Sequence, residues 1–114
     1  MGIPTAIAFI HAVTSPAALG NITFHISDRT AHAAVRYAWQ SGCALYACFG
    51  GETAVVEDIG PLTADAEELV ERAIAHGDEH VIKFTEACLS RHTLSPSPVY
   101  LVAADHVLAM IPRR

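Results

Sequence analysis

Apolar positions crowd the first half of the chain and leave almost no polar stripe there. From Ile3, the run IPTAIAFIHAV is apolar on every face, and Pro4 suits a first-turn position. The pattern predicts a helix from near Pro4 to about Thr14, and a helix apolar all round belongs inside a larger assembly. Ser15 and Pro16 read as the end of that helix and the start of a short second one, which Gly20 and Asn21 break. ITFHI reads as a strand-like or irregular linker.

A second long helix is predicted from Ser27, a capping residue followed by Asp28 in the first turn, to about Phe49, where Gly50 and Gly51 stop it. Ala31, Ala34, Val35, Ala38, Gly42, Leu45, Tyr46 and Phe49 share one face at about 100° per residue. Ala33, Tyr37, Ala44, Ala47 and Cys48 line the opposite face, so the helix reads as sandwiched between neighbours. GETAVVEDIGPL is read as a loop holding a short extended piece at AVV.

Thr63 is read as the cap of an acidic first turn. The apolar set Ala66, Leu69, Val70, Ala73, Ile74, Gly77, Val81, Phe84 and Cys88 keeps one phase, which favours a single helix from about Ala64 to about Arg91. Gly77 followed by Asp78 offers the alternative, a C-cap and a new N-cap. Ser97 and Pro98 then open a last helix, PVYLVAADHVLAMI. The fold class predicted is all-α: about four main helices in a bundle or array, a single domain over 1–114 that is incomplete as a monomer.

Charge sharpens the expectation of a missing partner. Only 17% of the 114 residues are charged, and residues 1–51 hold just Asp28, Arg29 and Arg36. So bare a half calls for cover, either by a second copy in a dimer or by an absent N-terminal domain. A net charge of −5 argues against a nucleic-acid partner. Cys43, Cys48 and Cys88 are odd in number and read as buried, reduced thiols of a cytoplasmic protein. The N-terminus has no basic residue before its apolar run, which His11 interrupts, so no cleaved signal is expected; no run of eighteen apolar residues occurs, so neither a transmembrane helix nor a membrane partner is expected.

Candidate chemistry gathers in HGDEHVIKFTEACLSRH. On an unbroken helix His76, His80 and Lys83, the chain's sole lysine, fall at i, i+4 and i+7 and share a flank. Two imidazoles one turn apart can hold zinc or iron; a solvated helix edge is the plain alternative. Lys83 can take part in such a site only with a depressed pKa or as a carbamate, and otherwise snorkels beside the apolar stripe. His11 stands in a helix with almost no other polar group, where a buried imidazole needs a hydrogen-bond partner or a metal. His25, His32, His92 and His106 are read as surface or interface residues.

Two stretches taken together, AFIHAVTSPAAL at 8–19 and AIAHGDEHVIKFTEACLSRH followed by PVYLVAADHV, with RYAWQ between them, resemble the C-terminal portion of the questin oxidase-like family. The resemblance implies an oxygenase-type oxidoreductase that acts on aromatic polyketide-like small molecules at a histidine-rich non-haem iron centre, with zinc as the alternative metal and NADPH as reductant. His11, His80 and Lys83 match the family's motif and His76 matches it more loosely, so the implied metal ligands are His11, His76, His80 and Lys83. The second reading, from the residues themselves, is a noncatalytic helical module that self-associates through its apolar faces.

Overall fold

The computed structural model describes residues 2–51 and 64–113. All regular structure among them is helical, in agreement with the all-α expectation. The chain divides into two units of packed helices, Met1–Thr53 and Ala54–Arg114.

The first unit is a helical hairpin. Helix α1 runs Ile3–Ile22 and carries Pro16 inside it, so the predicted end near Thr14 and the separate second helix merge into one element. Pro16 forgoes its backbone hydrogen bond to the preceding turn, yet the good helix formers Ala17, Ala18 and Leu19 carry the helix past it. The linker expected at ITFHI is a 3₁₀ turn at Thr23–His25, where the Thr23 hydroxyl donates to the carbonyl of Gly20 at 3.0 Å.

The segment Ile3–His25 is thus long and apolar enough, at mean hydropathy 1.4, to cross a membrane by length and composition. The helix's passage through Pro16 is what supplies that length.

Helix α2 spans Asp28–Phe49, and the side chain of its cap Ser27 accepts the Thr30 N–H. It returns antiparallel along α1, with the ring of Tyr46 edge-on to Phe9 at 6.5 Å and 65°. At its end the Gly50 N–H donates to the Tyr46 carbonyl at 2.7 Å, an approach so close that a Cβ on Gly50 would strike that oxygen. Ala6, Ile10 and Ala17 of α1 are buried, whereas α2 buries none of its 22 residues.

The second unit holds helices α3 (Ala66–His76), α4 (Glu79–Leu94) and α5 (Pro98–Met110), each packed on the other two. Asp65 caps α3 by accepting the Glu68 N–H at 2.9 Å; Thr63, the residue expected in that role, lies outside the described residues, as does the loop at 52–63. Leu69 and Ala73 from α3, Val81, Phe84, Ala87 and Cys88 from α4, and Ala104, Val107 and Leu108 from α5 form its core. Arg72 on α3 reaches Asp105 on α5 at 2.7 Å across the edge of that core.

The long helix expected over Ala64–Arg91 is broken at Gly77, which adopts φ +80° and donates its N–H to Ala73. Asp78 then caps α4 by accepting the His80 N–H at 2.9 Å. Apolar phase is silent about this break, because α3 and α4 face one common core and each must present its stripe to it. The local chemistry decides instead, through a glycine free to turn left-handed and an aspartate able to cap.

Candidate functional site

The elbow between α3 and α4 draws together two of the predicted ligands. His76 is the last residue of α3 and is 5% exposed. Its Nε2 lies 2.8 Å from the carbonyl oxygen of Ile111, and its Nδ1 accepts the Asp78 N–H at 3.4 Å. With Nδ1 accepting and a carbonyl oxygen opposite Nε2, these contacts match the tautomer that carries its proton on Nε2. Both ring nitrogens are thereby held by backbone groups, and neither lone pair is directed to a metal.

One residue past the bend, the Asp78 carboxylate is buried but satisfied, since it accepts from the backbone of His80 and lies 3.2 Å from that residue's Nδ1. A carboxylate behind an imidazole orients the ring, the arrangement also found behind metal-bound histidines. Lys83 does not join the elbow. Its ammonium donates to Glu79 at 3.4 Å, with both side chains 60% exposed, so it lies on a solvated helix edge. His11 is exposed on α1, where the sequence suggested an imidazole enclosed among apolar neighbours.

Among the described residues no group of three or more His, Cys, Asp or Glu side chains gathers that could hold a metal ion. The described residues alone do not assemble the iron centre that the family resemblance implies, and no catalytic step is derived through it. The cysteines supply no nucleophile at the core either: burial pushes the Cys88 thiol up to about 12. Cys43 and Cys48, expected to be buried, are exposed on α2.

The feature with the strongest call for a partner is one the sequence reading did not single out. Between α1 and α2 runs an apolar groove of about 700 Å³, lined among others by Ala12, Pro16, Val35, Trp39, Gly42 and Tyr46. Trp39 is 73% exposed and Tyr46 55%. The spacing of Val35, Trp39, Gly42, Cys43 and Tyr46 at i, i+4, i+7, i+8 and i+11 was the available signal. Counting one stripe centred on Ala38 and Gly42 left Trp39 out of it. A methyl group placed on Gly42 would meet no neighbouring atom within 4 Å, so the groove is open at that position. No family model, curated protein or solved structure matches this chain.

Proposed function

We propose that this chain is a noncatalytic helical association module whose working surface is the α1–α2 hairpin. The observation that carries the reading is the complete lack of buried residues on α2, although Val35, Tyr37, Trp39, Tyr46 and Phe49 stand exposed along it. Two helices in contact along one seam do not enclose a core, and most helical stability in proteins comes from tertiary packing of the apolar face. The three-helix unit differs in kind, for α3, α4 and α5 close around side chains of their own. Sedimentation velocity of the full chain at micromolar concentration tests the reading: a species larger than one chain supports it, and a well-behaved monomer overturns it.

A second reading, an oxygenase-type oxidoreductase of aromatic compounds in keeping with the questin oxidase-like resemblance, draws on the Asp78–His80 pair alone. Metal analysis of protein purified without an affinity tag tests it. Stoichiometric iron or zinc that is lost in His80→Ala supports that reading, and metal-free protein removes it.

A further inference from the structure

We infer that the groove between α1 and α2 receives the same hairpin of a second copy, Trp39 of each chain packing over Gly42 of the other about a two-fold axis. The inference rests on the association reading above and names its partner and its geometry.

Knobs and holes lie on one face. The exposed aromatics Trp39 and Tyr46 line the groove together with the small residues Ala12, Ala38 and Gly42. An isologous interface needs this combination, because each surface must supply both the protruding group and the space for it. Gly42 is the more telling of the two halves. A glycine inside a helix costs about 1 kcal/mol relative to alanine, and here no neighbouring atom of the described residues lies within 4 Å of where its Cβ would sit. Close approach by another body gives that glycine a use.

Charge selects the occupant. α1 carries no Asp, Glu, Lys or Arg, and on α2 these residues stop at Arg36, so the groove from Trp39 to Tyr46 has neither sign to offer. A strongly charged partner finds nothing to pair with there, whereas a copy of the same neutral face meets no repulsion. Two antiparallel hairpins joined face to face make a four-helix bundle, an established way to bury such stripes. Aromatic side chains bury about 150–250 Å² each. Trp39, Tyr46 and their aliphatic neighbours therefore supply several hundred Å² per copy, on the order of the roughly 800 Å² per partner of a stable interface.

The test uses the full chain and the fact that Trp39 is its single tryptophan. In a Cys48→Ser background, a short bis-maleimide is expected to join two chains through Cys43, and Trp39 emission is expected to move to longer wavelength as dilution separates the copies. Gly42→Leu places a bulky side chain in the groove, and its Cβ meets no neighbouring atom within 4 Å among the described residues. It should weaken association by at least about tenfold, as loss of a central packing site does, while helix content by circular dichroism, compared at dilutions where both proteins are single chains, stays at the wild-type level. A dimer that survives Gly42→Leu with Trp39 in water at every concentration overturns the groove geometry yet leaves the association reading intact. A monomer at all concentrations sinks both. Transfer of Trp39 into phosphatidylcholine vesicles, with no chain-to-chain cross-link, overturns the inference in favour of a bilayer as occupant.

Discussion

Nε2 of His76 donates to the carbonyl oxygen of Ile111 across 2.8 Å, tying the last residue of α3 to the residue that closes α5. The bond spans 35 positions of sequence and is buried. Replacing His76 by Ala strands that carbonyl and the Asp78 N–H together. Each buried polar group left without a partner costs about 1–3 kcal/mol, so a loss of about 2–4 kcal/mol is expected in urea unfolding. A change under about 0.5 kcal/mol, the range of ordinary surface substitutions, would show that the elbow is not built on this imidazole.

Gly77→Ala separates the two readings of the α3–α4 segment by the sign of its effect. In a continuous helix the substitution would stabilise the protein by about 1 kcal/mol. At φ +80° it forces a side chain into the left-handed region instead, at a cost of about 1–2 kcal/mol. Thermal unfolding is expected to show a lower midpoint for the variant.

Thr85 sits in the core, 2% exposed, and its hydroxyl oxygen has no hydrogen-bond partner among the described residues. Thr85→Val keeps the shape and removes the orphaned group. A gain of about 1 kcal/mol is expected in denaturant midpoint, in line with the penalty for an unpaired buried hydroxyl. A variant less stable than wild type would reveal a bond made by that oxygen.

Cys88 yields a prediction in pH. Its folded-state value is raised from 9.0 to about 12 by burial, so the folded protein holds the thiol proton more tightly than the unfolded chain. The associated stability is fully present below pH 9.0 and is lost as pH climbs from there toward about 12. Cys88→Ala is expected to flatten the stability profile over that window. In native protein a thiol reagent should label the exposed Cys43 and Cys48 well before Cys88.

The helical class, the caps at Ser27, Ser97 and Pro98, and the bareness of the first half were legible because they follow from local composition and period. The elbow at Gly77 was legible only as an alternative, since apolar phase cannot tell one helix from two that share a core. Pro16 misled for a related reason: a proline lowers helix propensity, but here the helix formers after it prevail. The proposed site was the hardest part to read. Period places His76, His80 and Lys83 on one flank, yet the break after His76 turns that imidazole inward to Ile111, and Glu79 holds Lys83 in water. Trp39 was missed because a groove between two helices depends on which residues face each other, and one helix's period does not contain that.

The order of the two units along the chain has a consequence for biosynthesis. α1 and α2 emerge from the ribosome ahead of the three-helix unit, and their exposed aromatic face has no enclosed core to retreat into. Nascent apolar surface of this kind is what holdase chaperones recognise.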